Sequence, residues 1–182
     1  MLEIWHKKQN KIIFLNRRDY PGDLFLCGDD FLHKLNDFIS VRDDVTMIDI
    51  DDIYKTKDVM GNVLEEISKL NIDAELVDYH INYKGSKVTM LVENSGILRT
   101  ISAAGMFKDK LGTAMCDVYC SNSAVSVSLK ISPIDAAAKI IKEFEKNDIE
   151  LYHLFSGDGF IIVVINEAYT DEVCTLCEKL FL

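Results

Sequence analysis

Apolar and polar positions follow one order of elements twice along the chain. In the first copy, a strand pattern at Val45–Ile50 precedes a stripe of apolar residues at three-to-four spacing between residues 59 and 70. Two further strand patterns follow at Leu76–Ile81 and Val88–Val92, and a helical pattern at Gly96–Phe107 completes the copy. This order predicts a strand-helix-strand-strand-helix unit.

The same order returns in the second half of the chain. Residues 125–129 alternate between apolar and polar side chains, as in a strand with one solvated face, and residues 137–144 carry the next helical stripe. Strand patterns at Leu151–Phe155 and Phe160–Ile165 and a helix at Tyr169–Leu180 complete the second copy.

The duplicated order predicts an α+β fold of two ferredoxin-like modules, whose antiparallel sheets carry helices on one face and pack side by side. Phe160–Ile165 is apolar at every position, and a strand of this kind is normally covered on both faces. We therefore expect a second layer, supplied by another module or another subunit.

The first 37 residues fit neither copy and are predicted to be an N-terminal extension. Leu2–Trp5 and Lys11–Leu15 flank a polar turn and indicate a β-hairpin, which Pro21 and Gly22 would end. The pattern gives this segment no function.

The net charge and the hydropathy of the chain argue against nucleic acid and membranes as binding partners. Thirty acidic residues against twenty basic ones give a net charge of -10, which repels phosphate backbones, so we expect no nucleic acid. No apolar run approaches the roughly 18 residues of a membrane span, and no signal-peptide core is present at the N-terminus. We therefore expect a cytoplasmic protein that binds no membrane.

The cysteines allow two interpretations. Their number, five, is odd and indicates reduced thiols, whereas the pairs Cys174/Cys177 and Cys116/Cys120 have spacings that could serve zinc or redox chemistry. Cys177 falls on the apolar stripe of its helix, which favours a small core residue. We predict no metal site and no cofactor.

The four histidines show no metal-binding spacing. His80 and His153 lie at or near the second strands of their copies. We interpret both as hydrogen-bonded histidines of a surface or an interface.

From Phe38 to Leu182 the chain resembles the C-terminal regulatory region of aspartokinases, which consists of tandem ACT domains. Leu154–Phe181 (LFSGDGFIIVVINEAYTDEVCTLCEKLF) is similar to the closing strand-turn-strand-helix of that family without a gap. The turns at residues 71–73 and 148–150 resemble its helix-exit element. Residues 38–42 stand where the family has a short strand that joins the second module.

This resemblance implies a regulatory protein of two ACT-like modules, residues 38–110 and 111–182. It also implies a homodimer and an amino-acid effector, such as lysine or threonine, bound at a module or dimer interface. Family kinases open with a lysine- and glycine-rich phosphate-binding segment, and neither this nor a Walker loop occurs here. The chain is therefore expected not to be an enzyme.

The loop after the first strand of the first module carries the candidate ligand contacts, together with polar residues that the topology places nearby. These are Asp51, Asp52, Lys55, Thr56, Asp58, Asn71, Asp73 and Tyr79. Residues 49–58 lack the glycine and the Pro-Gly pair of the family, so the backbone cannot easily approach a ligand. The other interpretation is a solvated acidic loop in which Asp58 or Thr56 caps the helix.

Two further functions stay open. In the first, the chain acts without a ligand, as an interaction or dimerisation module that is the regulatory subunit of a separate enzyme such as an aspartokinase. An enzyme using the cysteines would need a thiol with a lowered pKa.

Overall fold

Eight strands and two helices make up the regular structure of this computed structural model, which describes residues 12–15, 24–28, 38–53, 65, 68–69, 74–81, 86–93, 102, 115–157 and 159–182. The strands are β1 (Ile12–Leu15), β2 (Leu24–Gly28), β3 (Ile39–Ile53), β4 (Ala74–Ile81), β5 (Ser86–Glu93), β6 (Met115–Ser128), β7 (His153–Gly157) and β8 (Phe160–Asn166). The helices are α1 (Pro133–Lys146) and α2 (Thr170–Phe181), and a 3-10 turn at Glu167–Tyr169 leads into α2. No helix within these ranges combines the length and apolar character that a bilayer crossing requires.

All eight strands belong to one antiparallel sheet with the order β1-β2-β4-β5-β3-β6-β8-β7. Strands β3 and β6 are the longest, with 15 and 14 residues, and they pair along nearly their whole lengths. The predicted strands at residues 38–42 and 45–50 therefore lie, except for residue 38, within one continuous strand.

The two long strands bend at the same level. Asp44 in β3 and Ser121 in β6 have positive φ angles of 56° and 58°, and the register of the β3–β6 ladder shifts on either side of Val45. Irregularities of this type bend a strand and increase its twist. The bend divides the sheet into two parts with different neighbours.

We call these parts the two half-sheets. The N-terminal half-sheet contains β1, β2, β4 and β5 with Val45–Ile53 of β3 and Met115–Ser121 of β6. The C-terminal half-sheet contains Ile39–Arg42, Asn122–Ser128, β8 and β7.

Both helices cover one face of the C-terminal half-sheet. In α1, Ala136, Ile140 and Phe144 recur every four residues, which places them on one side of the helix, and all three are buried. They share a core with Val173 and Cys177 of α2 and with alternate residues of the strands beneath: Val125, Val127, Ile161, Val163 and Ile165. Pro133 at the first turn fits the start of α1, because its missing N–H would have no partner there.

The other face of the C-terminal half-sheet packs against the N-terminal half-sheet. Every residue from Phe160 to Ile165 is buried. On this second face the core joins residues of both half-sheets: Val45, Met47, Leu76, Leu91, Ala124, Phe155, Phe160, Ile162 and Val164. The predicted second layer is confirmed, and it comes from the same chain. The half-sheets are adjacent in one continuous sheet, share two strands and also share this core. The packing of two modules side by side stays a prediction.

The predicted element order is confirmed for the second copy, which runs from β6 through α1, β7 and β8 to α2. In the first copy the three predicted strands lie within β3, β4 and β5. Both predicted helices of that copy fall largely outside the described residues, where Glu65, Ser68, Lys69 and Ser102 are helical. The division into modules at residue 110 therefore stays a prediction.

Strand β1 pairs with a strand that the sequence pattern did not identify, since Ile12–Leu15 faces Leu24–Gly28 in an antiparallel ladder. The predicted pairing of Leu2–Trp5 with Lys11–Leu15 stays a prediction. The other predicted strand, Leu2–Trp5, lies outside the described residues.

Candidate functional site

Polar side chains from β3 and β5 meet on one face of the N-terminal half-sheet. Side chains alternate along a strand, so Asp49 and Asp51 share a face, as do Lys87 and Thr89. The Lys87 ammonium donates hydrogen bonds to Asp49 Oδ2 at 2.5 Å and to Asp51 Oδ2 at 3.3 Å. Thr89 Oγ1 donates to the other oxygen of Asp49, Oδ1, at 2.6 Å. We call these four residues the Lys87 cluster.

The cluster is partly open to solvent. The side chains of Lys87, Asp49 and Asp51 are 32%, 15% and 38% exposed. Partial burial disfavours the ammonium, but the hydrogen bonds and negative charges of the two aspartates outweigh it and raise the pKa of Lys87 above its ordinary value. Lys87 is thus held as a cation, and Asp51 is the more accessible of its two partners.

A histidine contact joins the half-sheets beside the cluster. Asp78 of β4 faces Thr89 in the ladder, and its Oδ2 lies 3.3 Å from His153 Nε2 of β7. The His153 ring also packs against Phe155, with 4.4 Å between the ring centroids. The interpretation of His153 as a hydrogen-bonded interface histidine is confirmed.

Further acidic and aromatic groups extend this face towards β6. Asp117 faces Asp49 across the β3–β6 ladder. Tyr119 stacks on Tyr152 with 5.7 Å between the ring centroids, and partial burial together with the charges of Asp117 and Asp49 raises its pKa. Among the described residues of this face, carboxylates outnumber cations, so the face carries a net negative charge that would attract a cationic group.

The structure places only part of the predicted site. Asp51 belongs to the Lys87 cluster, and Asp52 lies in β3 where the ladder with β5 is irregular. Tyr79 is on the other face of the sheet, because it faces Val88, and its hydroxyl lies 3.3 Å from Ser86 Oγ. The remaining candidates lie outside the described residues: Lys55, Thr56, Asp58, Asn71 and Asp73.

Sequence reasoning missed Asp49, Asp78, Lys87 and Thr89. The signal was the two-residue alternation of polar positions within strands that were correctly predicted. Alternation shows which residues of one strand share a face. Only the order and register of the strands show which residues of different strands are neighbours on that face.

The cysteines of the described ranges lie in ordinary packing environments. Cys177 is fully buried in the core under α2, and burial raises its pKa to about 12. Burial and the nearby acidic residues also raise the pKa of Cys174. The interpretation of Cys177 as a core residue is confirmed. Among the described residues, no group of three or more metal-ligating side chains is placed to hold an ion.

Comparisons with solved structures give the class of fold. A structure of aspartokinase α and β subunits matches with a TM-score of 0.67 and 17% identity, over 79% of this chain and 96% of that one. The regulatory subunit of aspartate kinase from Thermus flavus matches with a TM-score of 0.68 and 11% identity, over 79% and 96%. Neither a protein-family model nor a curated protein matches the sequence.

The match to an aspartokinase itself covers a smaller part of that chain. E. coli aspartokinase III, solved in complex with lysine and aspartate, matches with a TM-score of 0.55 and 9% identity, over 79% of this chain but only 32% of the enzyme. The chain therefore has the fold of aspartokinase regulatory subunits, which is the fold that the sequence resemblance implied.

Proposed function

We propose that this chain is a cytoplasmic ACT-like regulatory protein that acts as a homodimer and binds a small amino-acid effector without catalysing a reaction. The observation that carries the proposal is that the match covers 96% of the chains in two structures of aspartokinase subunits but only 32% of E. coli aspartokinase III. This difference supports a regulatory role rather than phosphoryl transfer.

The Lys87 cluster supports a ligand that carries an ammonium group. Asp51 is the most exposed carboxylate of the cluster, and it precedes the segment that holds the predicted contacts Asp52, Lys55, Thr56 and Asp58. E. coli aspartokinase III has been solved with lysine bound, so lysine is the first effector to test. We propose that Asp51 receives the ammonium of the effector and that residues of the following segment, with Asn71 and Asp73, complete the site.

Tyr79 fits this site less well than the other candidates. Its side chain lies on the face opposite Asp51 and is close to Ser86. A structural role for Tyr79 follows from that placement.

Calorimetric titration of the purified chain with each of the twenty amino acids tests the proposal. We expect saturable binding of lysine or threonine, and a decrease of about tenfold or more in affinity for the Asp51→Asn variant, because the ammonium loses a charged acceptor. Glu172→Gln, which removes an exposed acid of α2 away from the cluster, is the matched control and should bind normally. Absence of binding by all twenty amino acids would refute the sensor.

The second candidate is a ligand-free regulatory subunit of a separate enzyme such as an aspartokinase. The match to a structure that contains both α and β subunits favours it, and so does the absence of glycine from residues 49–58. Affinity purification of the tagged chain from its native host distinguishes the two. A subunit retains a stoichiometric kinase through gel filtration, whereas an independent sensor elutes without one.

A further inference from the structure

The β1–β2 hairpin extends the sheet beyond the strands of the two predicted modules, which begin at residue 38. Strand β2 pairs with β4 in a regular antiparallel ladder, in which Leu24 faces Tyr79 and Leu26 faces Val77. The hairpin therefore occupies one long side of β4.

Strand β4 would be an edge strand without the hairpin. Its other side is already paired with β5, so removing β2 would leave the N–H and C=O groups that pair with β2 along Leu76–Tyr79 without those partners. An edge of this length is a template for another strand, and folded proteins protect such edges.

The sequence of β4 is complementary to itself in one antiparallel register. If Tyr79 faced Tyr79 of a second copy, Asp78 would face His80 of that copy and Val77 would face Ile81. A carboxylate would meet an imidazole on one face and the two Tyr79 rings would meet on the other, and polar and aromatic pairs of this kind stabilise neighbouring strands. The twofold symmetry repeats each contact, as in most homodimers.

We propose that the N-terminal hairpin is an intramolecular cap on the β4 edge, which holds the place that a second copy of β4 would otherwise take. While the hairpin is docked, self-association must use other surfaces of the molecule. Release of the hairpin exposes an interface that fits a second copy of this chain. This gives a role to a segment that the sequence pattern left without one.

Light scattering coupled to gel filtration tests the cap, with the full chain, a deletion of residues 1–30 and the full-length Leu26→Pro variant. Proline removes a backbone donor from β2, which lies between β1 and β4, and so breaks the ladder with β4 without shortening the chain. In both variants we expect a concentration-dependent twofold increase in mass relative to the full chain.

His80→Asp in the deletion background tests the register, since it places Asp78 opposite an acid, and it should abolish the increase. If circular dichroism shows that both hairpin variants are folded and both keep the mass of the full chain, the cap is refuted. If the deletion variant precipitates, the Leu26→Pro variant alone is used, and a doubled mass supports the cap whereas an unchanged mass refutes it. If His80→Asp leaves the doubled mass unchanged, the β4–β4 pairing is refuted. The measurement uses no effector, so its failure leaves the proposed amino-acid binding intact.

Discussion

Lys87 lies between two carboxylates that would repel each other without it. Its ammonium contacts Asp49 and Asp51 from the neighbouring strand, and all three side chains are partly shielded from water. At the scale of single residues, this interaction should be the main electrostatic contribution of the cluster to stability.

Replacing Lys87 by methionine should lower the free energy of unfolding by about 1 kcal/mol, because two partly buried acids lose their shared cation. Urea denaturation at pH 7 measures the change. Lys146→Met is the matched control, since Lys146 pairs with Glu143 at 3.2 Å on the surface and is 70% exposed, and it should cost less than about 0.5 kcal/mol. Equal effects of the two substitutions would contradict the role of Lys87.

The contribution of Lys87 should also depend on pH. Its pKa is raised in the folded chain, so its stabilisation is fully present below the unfolded value of 10.5 and is lost as the pH rises through the folded value. The stability difference between the natural chain and Lys87→Met should therefore be constant from pH 7 to 9 and shrink above pH 10.5. Urea denaturation at several pH values measures this difference, and a decrease already complete by pH 9 would contradict the assignment.

Cys177 should be unreactive in the folded chain. Its pKa of about 12 leaves very little thiolate near pH 8, and the thiol has no access to solvent. We expect alkylation by iodoacetamide on the order of 100-fold slower than at the exposed Cys120, with both rates followed by mass spectrometry of peptides. Rapid labelling of Cys177 in the folded chain would contradict its assignment as an inert core residue and would favour the hypothesis of an enzyme that uses a cysteine.

At the scale of elements, α1 offers a direct test of how the helices bind the sheet. Ile140 is fully buried against the C-terminal half-sheet, whereas its neighbour Ile141 is 42% exposed. Ile140→Ala should lower the free energy of unfolding by about 2–5 kcal/mol because it leaves a cavity. Ile141→Ala makes the same chemical change on the outer side and should cost less than about 1 kcal/mol. Urea denaturation of both variants measures the difference, and similar losses would contradict the helix orientation.

The sequence pattern predicted an element well where its apolar residues follow a clear pattern of burial. The period of α1 and the apolar run of β8 were sufficient to identify both elements to within a few residues. The lengths of β3 and β6 were not predictable, because Asp43 and Asp44 are typical of a loop. Asp44 instead occupies a bent position inside a strand with a positive φ of 56°.

The candidate site was harder to predict than the fold. Asp51 was predicted as part of a loop, although it lies within β3, and Lys87 stands in a strand without any local signal of function. Only the pairing of β3 with β5 brings the two side chains together. Contacts between strands that are distant in sequence depend on register, and no local pattern specifies it.

At the scale of the whole molecule, the two half-sheets should unfold together. They share β3 and β6, and one apolar core contains residues from both. We expect a single thermal transition in far-ultraviolet circular dichroism, with equal calorimetric and van't Hoff enthalpies. Two separate transitions would show that the half-sheets are independent, and the continuous strands would then have no energetic role.

The shared long strands also limit how proteins of this architecture can be recombined. A half taken from one protein and fused to another would have to match its new companion along strands of 15 and 14 residues, including the bends at Asp44 and Ser121. A one-residue mismatch would turn the apolar side chains of such a strand towards water. Folds of this type should consequently be inherited as whole units, and exchanges within them should be far rarer than exchanges at their boundaries.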